Sequence, residues 1–414
     1  MLNFKKIALF DHKDRKRTGI ESDMARNRAY LDYNASAPLI AAARDAVVNA
    51  LMQTGNPSSV HLEGRATKTI LESARRDIAA LVNAKPDHVF LTSGATEAAS
   101  TLLTPHYTMG RAQMRLSRLY VGASEHPCML AGGQFGPEQI EIVPVDGNGL
   151  LDLERLRVLL AAHERDQGLP LVAVQAANNE TGVLQPIEKI GVLAKEFGGL
   201  FVVDAVQAAG RISLDIATCS ADYLILSSHK LGGPKGAGAI VAVSDLVMPR
   251  ALVRGGGQEK GHRAGTEALP LIAGFAAAAR VARERLDAGG WPVANRDTVE
   301  RGIRAAAPDA IIYGAAVDRL PNTTFFSLPQ VKAETVQIAF DLAGIALSAG
   351  SACSSGKVGP SHVLAAMGYG DGTGGLRVST APDTSDEDIS LFLDALASIV
   401  SRRTRSMAEA ASAA

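Results

Sequence analysis

"DYLILSSHKLGGPKGAGAIVAV", residues 222–243, decides how the chain is read. Two apolar runs, 222–228 and 239–243, flank a stretch of small residues carrying His229, Lys230 and Lys235. Runs this short and apolar read as strands buried on both faces. Five similar runs precede them, at 89–93, 118–124, 141–145, 171–177 and 200–205, and amphipathic segments such as "LDLERLRVLLAAH" and "PIEKIGVLAKEF" lie between several of them. Short apolar strands separated by helices predict an α/β domain: a mostly parallel sheet covered by helices, with ligands bound at the carboxyl ends of the strands.

Beyond about residue 288 the rhythm shifts to longer helices and fewer strands. This predicts a smaller α+β domain, closed by a helix that begins near Thr384, where Thr384 and Glu387 have capping-box spacing. The expected layout is a large domain over 45–287 and a small one built from 30–44 and 288–404. A polar, basic extension, 1–29, and an Ala-rich tail, 405–414, are expected to be flexible.

The net charge is −1, from 42 basic and 43 acidic residues, so no global field would hold the chain on nucleic acid or an anionic membrane. Small molecules and other proteins are the expected partners. Three dispersed cysteines without a C-x-x-C pair argue against a disulfide framework and against a thiolate metal site, and fit a reducing cytoplasm. No apolar stretch approaches the roughly 20 residues that a spanning helix needs.

Polar residues cluster just after the predicted strands. "LTSGATEA" puts Ala95 and Thr96 at a strand-to-helix junction, whose free N–H groups suit a phosphate. Asp204 ends one strand, with Gln207 three residues on, and "NNETG" (178–182) follows another. Any one of these is as readily an ordinary helix cap. Lys230 is harder to dismiss, because a lysine at the end of a buried strand needs a reason to tolerate desolvation, and a lysine of lowered pKa is a good nucleophile. The glycines near Lys235 lack Walker spacing, and G-x-S-x-G and H-E-x-x-H are both missing from the sequence. "SAGSACSSG", 348–356, surrounds Cys353 with small residues that offer it little to pack against.

The stretches "YLDYNASAP", "GNPSSVH", "TSGATEA", "SEHP", "NNETG", "VDAVQ", "SSHKLGGPKGAG", "GGGQEKGHRAGT", "SAGSACSSG" and "LRVS" follow one another along the chain. As an ordered set, from Tyr30 to about Arg403, they resemble the cysteine desulfurases, pyridoxal-phosphate enzymes of the class V aminotransferase family with the type I transferase fold. The resemblance implies that Lys230 holds pyridoxal 5'-phosphate covalently and that Asp204 faces the pyridine nitrogen. His126 would stack on the ring and move a proton, while Gln207 and Asn179 would meet the ring hydroxyl and the substrate side. Ala95, Thr96, Ser227 and His229 would hold the phosphate, and Thr266 would reach the phosphate of the neighbouring subunit in a homodimer.

Arg377 and Asn34, with Asn179, match the residues that receive the carboxylate of L-cysteine. Cys353 matches the nucleophile that keeps the sulfur as a persulfide and passes it to an acceptor protein such as an iron-sulfur scaffold, for cluster assembly or tRNA thiolation. "SAGSAC" resembles the long-loop subgroup. No resident metal is implied beyond a transient iron-sulfur contact at Cys353. Ser228 departs from the pattern, standing where glycine is usual. A class V aminotransferase or lyase on another amino acid is the alternative activity, and a catalytically idle binding partner a third reading.

Overall fold

Six of the eight strand pairings in the main sheet join runs that the apolar pattern marks, or extensions of them, and these carry buried side chains at their centre. The computed structural model describes residues 28–350, 361–370 and 374–412. Its main sheet has nine strands, in the order Val247–Pro249, His106–Met109, Ala112–Gly122, Leu169–Gln175, Leu200–Asp204, Tyr223–Ser227, Gly238–Ala242 and Val89–Thr92, with Ile140–Val143 also pairing with Ala112–Gly122. His106–Met109 and Gly238–Ala242 run against the other strands, which all point one way. This is the expected α/β sheet with parallel strands at its centre.

The helices Ala41–Leu51, Leu62–Leu81 and Leu269–Asp287 pack together, and residues of the latter two bury alternate strand side chains such as Val172, Val203 and Leu224 in one core. A second core on the opposite face takes Leu171, Val202 and Ile225, with Ala98 and Leu102 from the helix Ala95–Leu102. Strands apolar at every position are thereby covered on both sides.

Another core lies in the later part of the chain. Four antiparallel strands, Ile311–Ile312, Thr323–Ser327, Leu376–Ser379 and Ser348–Ala349, bury Phe326 and Val378 against the helices Val293–Ala306, Ala333–Leu342 and Asp386–Ser412. Ala29 and Leu31 belong to this core, whereas Ala43 already belongs to the first.

Three expectations need correction. The hairpin His106–Met109 to Ala112–Gly122 and the strand Val247–Pro249 escape the sequence reading, because residues 106–117 mix exposed polar side chains with a few buried ones and lack the doubly buried pattern. The last helix is boxed by Ser385 and Asp388: Asp388 N–H donates to Ser385 Oγ at 3.1 Å and Ser385 N–H to Asp388 Oδ2 at 3.2 Å, while Thr384 Oγ1 accepts from Ala381 N–H. That helix runs on to Ser412, so most of the expected tail is helical, as its Ala-rich composition favours. Of the expected extension, residues 1–27 lie outside the described residues; Arg28 pairs with Asp341, and Ala29 is buried and aligned with Ile345.

Candidate active site

The register of the parallel strands sets Gln175 beside Asp204 and Asp204 beside Ile225, so their carboxyl ends finish along one edge. A cavity of about 640 Å³ opens there, and its lining draws on the segments that follow these strands and on the start of the helix Ala95–Leu102. Ala95, Thr96, His126, Asn179, Asp204, Gln207, Ser227, His229 and Lys230 all line it, so the sequence-predicted residues from five separate stretches meet in one place.

After the strand Tyr223–Ser227 the chain makes a single turn, Ser228–Lys230, which presents Lys230 to the cavity. Its Nζ donates to the carbonyls of Asn34 at 2.6 Å and Ala35 at 2.9 Å. Ser228, the departure from the family pattern, is fully buried, and its hydroxyl sits where a Cβ on Gly233 would come within 2.2 Å of it; the missing side chain at 233 makes room for the extra one at 228.

Asp204 is buried and accepts the amide of Val206 at 2.9 Å. Burial pushes its carboxyl up to about 6, against the pull of that amide and of the Lys230 charge. Gln207 is buried beside it; its Nε2 donates to the carbonyl of Asn34 at 3.0 Å, and its Oε1 has no hydrogen-bond partner among the described residues. Both groups present unmet polar capacity to the cavity, which calls for a ligand with complementary donors.

At one end of the cavity the first N–H groups of Ala95–Leu102 are free of intrahelical partners. The sheet approaches them closely, since a Cβ on Gly238 would stand 2.7 Å from the backbone of Gly94. His229 Nδ1 lies 3.3 Å from Ser36 Oγ. Burial, then the charges of Lys230, Lys235 and Arg211, push His229 down to about 4. A helix N-terminus and a concentration of positive charge suit a phosphate.

His126 caps the short helix Pro127–Leu130: its Nδ1 accepts the amide of Cys128 at 3.2 Å and lies 3.1 Å from Cys128 Sγ. Burial, then Lys230 and His362, lower it to about 4, so the ring is neutral at neutral pH. Beneath it is Glu125, which sequence reasoning missed as a site residue although it stands in "SEHP". Its Oε1 accepts Gln175 N–H at 2.9 Å, and burial holds the carboxyl well above the usual carboxylate range. Glu125 stands behind the lining, whereas Ser36, Cys128 and Lys235 line the cavity without having been assigned a role in it from the sequence.

Three predicted residues are placed away from the cavity lining, and a fourth is not described. Arg377 is buried on the strand Leu376–Ser379 and is not a lining residue; its Nη1 donates to the carbonyl of Asn179 at 2.7 Å and its Nη2 to Asp32 Oδ1 at 2.8 Å and Ser348 Oγ at 3.0 Å. Asn34 turns its side chain into the seam, with Nδ2 donating to Thr323 Oγ1 and Oδ1 accepting from Asn322, and gives the site its backbone carbonyl instead. Thr266 is exposed and outside the lining. Cys353 lies outside the described residues.

Residues 29–392 match the aminotransferase class-V family. The chain is 38% identical over 381 residues to a cysteine desulfurase of Cereibacter sphaeroides, covering 90% of this chain and 96% of that one. It is 36% identical to the cysteine desulfurase NifS of Azotobacter vinelandii over 385 residues, covering 90% and 92%. The X-ray structure of a NifS-like protein from Rickettsia africae superposes with a TM-score of 0.80 at 30% identity, over 90% of this chain and 99% of that one. With a matching profile over most of its length and relatives matched nearly end to end, the chain belongs to the class V aminotransferases, in the cysteine desulfurase family.

Proposed function

We propose that this protein removes the sulfur of L-cysteine, releasing L-alanine and holding the sulfur as a persulfide on Cys353. The observation that carries the reading is the meeting of Lys230, Asp204, His126 and a helix N-terminus around one cavity in a chain of this family.

The residues fit pyridoxal phosphate, the cofactor of the family. Asp204 offers a buried carboxylate for a ring N–H, Gln207 an unmatched Oε1, Ala95 and Thr96 free amides, and Ser227 and His229 further polar contacts for the phosphate. Lys230 is the point of covalent attachment. When bound, the cofactor supplies an electron sink for the pair left at the substrate Cα.

The chain's own groups do the rest. Lys230, released on substrate binding, takes the Cα proton on its Nζ, from a position set by the carbonyls of Asn34 and Ala35. Asp204 keeps its partner protonated by remaining ionised. His126, neutral, accepts or returns a proton at the substrate sulfur. Asn179 holds the substrate side, with Arg377 behind it through the Asn179 carbonyl; the Nε–H of Arg377, without a partner among the described residues, is the donor left for the substrate carboxylate, beside Asn34. Cys353 attacks the substrate sulfur as thiolate, which breaks the carbon–sulfur bond.

Exposed Thr266 serves a second copy of the chain in a homodimer, where it reaches the partner's phosphate. The sulfur goes on to an acceptor protein, an iron-sulfur scaffold or a tRNA-thiolation component, in the cytoplasm. Among the described residues no helix is long and apolar enough to cross a membrane. Incubating the yellow holoenzyme with L-cysteine and a reductant tests the activity: sulfide and alanine should appear together, and alanine without sulfide or persulfide, or no turnover, overturns it.

A further inference from the structure

Behind Lys230, on the side away from the cofactor cavity, a second cavity of about 210 Å³ lies between the two cores, lined by Tyr33, Ile40, Arg211, Lys230, Arg285 and Trp291 among others. Arg211 dominates it. Its side chain belongs to a residue only 2% exposed, yet it forms no ion pair with any carboxylate among the described residues. Buried guanidinium groups are ordinarily paired, because desolvation of an uncompensated charge is costly. Burial, followed by the charge of Arg377, lowers Arg211 to about 9, with no anionic group acting the other way.

Arg211 keeps hydrogen-bonding capacity that the described residues do not use. Nη1 is committed to the carbonyl of Gln207 at 2.6 Å, Nη2 makes only a 3.5 Å contact with the carbonyl of Lys230, and Nε–H has no partner among the described residues. Nε and Nη2 form the edge of a guanidinium that takes a carboxylate side-on, through two parallel N–H donors. A second cation is close by: the Cζ atoms of Arg211 and Arg285 lie 5.5 and 5.7 Å from the centroid of Trp291, whose indole N–H is tied to the carbonyl of Gly210 at 2.8 Å. The remaining wall includes Leu231, Ala282 and Pro382, which offer carbon surface, and Asp383, whose charge acts on Arg285 and leaves Arg211 as the cation without a counter-charge among the described residues. A space equivalent to about seven waters of liquid holds a carboxylate with a few carbons attached.

We propose that this cavity is a second binding site for a small aliphatic carboxylate, gripped by Arg211 with support from Arg285 and read by Trp291. It shares Lys230 with the cofactor cavity, but Arg211, Arg285 and Trp291 line the second cavity and not the first, so the proposal does not rest on the assigned reaction.

Trp291 is the single tryptophan of the chain, so tryptophan emission reports on this cavity alone. Sodium propionate titrated into the holoenzyme, with chloride adjusted to keep ionic strength constant, should change the emission saturably. Arg211→Met should abolish that saturation or raise the half-saturating concentration at least about tenfold, the scale of a lost charge-assisted hydrogen bond. Arg211→Lys, which keeps the charge and loses the fork, should weaken binding similarly and serves if the methionine variant does not fold. A wild-type response that never saturates, or unchanged half-saturation in the folded variants, overturns the site. Sodium sulfate producing the same change as tightly as propionate overturns the assignment to carboxylates.

Discussion

Ser361 Oγ donates to Glu180 Oε2 at 2.6 Å, and that same oxygen would lie 2.8 Å from a Cβ on Gly350. The buried carboxyl in "NNETG" therefore touches both residues that bracket 351–360, the stretch containing Cys353. Burial pushes Glu180 up to about 7, against the pull of Ser361 and Arg377. Its folded pKa lies above the unfolded one, so its contribution to stability is fully present below about pH 4.5 and is lost as pH rises through about 7. Replacing it by Glu180→Gln should remove this loss. Urea unfolding at about pH 5 and about pH 8 should show the difference between variant and wild type shifting in the variant's favour by on the order of 3 kcal/mol at the higher pH; a difference independent of pH would mean that Glu180 is ionised in the fold.

Gly350→Ala should act at the same place. The added methyl meets Phe325 Cζ at 2.7 Å as well as Glu180. Both neighbours are buried, so the backbone at 350 has to move. Persulfide formation in a single turnover should slow while the cofactor's visible absorbance stays; an unchanged rate would show that the strand end at 350 can shift without consequence for Cys353.

Arg75 and Glu259 form a buried bidentate pair, at 2.7 and 2.6 Å, and Glu259 also accepts the amide of Leu91 at 2.8 Å. Glu259 sits at φ 49 and Lys260 at φ 56, a left-handed pair that non-glycine residues adopt only when held. Glu259→Ala leaves the largely buried guanidinium with Glu72 at 3.4 Å and the carbonyl of Val89 as its remaining partners and should destabilise the protein by about 2–4 kcal/mol, measured by urea unfolding at neutral pH. A loss under about 1 kcal/mol would show that solvent reaches Arg75 once the partner is gone.

How far the site was legible in the sequence follows from the same physics. Asp204, Lys230 and Ala95 could be found because each directly follows a strand with a strong apolar pattern, and parallel sheets gather such ends. Arg377 and Asn34 were found by motif, but motif says nothing about side-chain partners: the fork of Arg377 is turned to Asp32, and the amide of Asn34 to Thr323. Glu125 and Arg211 were passed over, since a lone charged residue in a sequence looks solvent-exposed until packing shows it is not. The hairpin strand His106–Met109 was missed because it has one exposed side and thus too little apolar signal.

Cys353→Ala and Lys230→Ala separate the two proposed covalent roles. The first should keep the visible absorbance and still respond to L-cysteine, yet form no protein persulfide; undiminished sulfide release would refute Cys353 as nucleophile. The second should lose covalent attachment, seen as cofactor removed by gel filtration after mild denaturation, together with all turnover.

Asp204→Asn removes the buried carboxylate proposed to balance a protonated ring nitrogen, while the amide keeps the shape. Turnover should fall by about 10²–10³, the scale of one lost electrostatic partner in a water-poor site, with the protein still folded and coloured. Retention of more than about half the activity would remove Asp204 from the reaction.

His126 should not titrate where an exposed histidine does. Its Nδ1 accepts the amide of Cys128, which leaves the proton of the neutral ring on Nε2, and burial beside Lys230 keeps the ring from gaining a second one until about pH 4. The folded pKa is depressed, so the catalytically useful neutral form persists through the whole neutral range. The free-enzyme kcat/KM profile should therefore show no limb near pH 6.5 that depends on this residue, while His126→Gln lowers kcat/KM by about 10²–10⁴ across that range. A limb near pH 6.5 that vanishes in His126→Gln would show that the ring is hydrated and charged in the working enzyme, and with it the neutral proton carrier at the substrate sulfur would be lost.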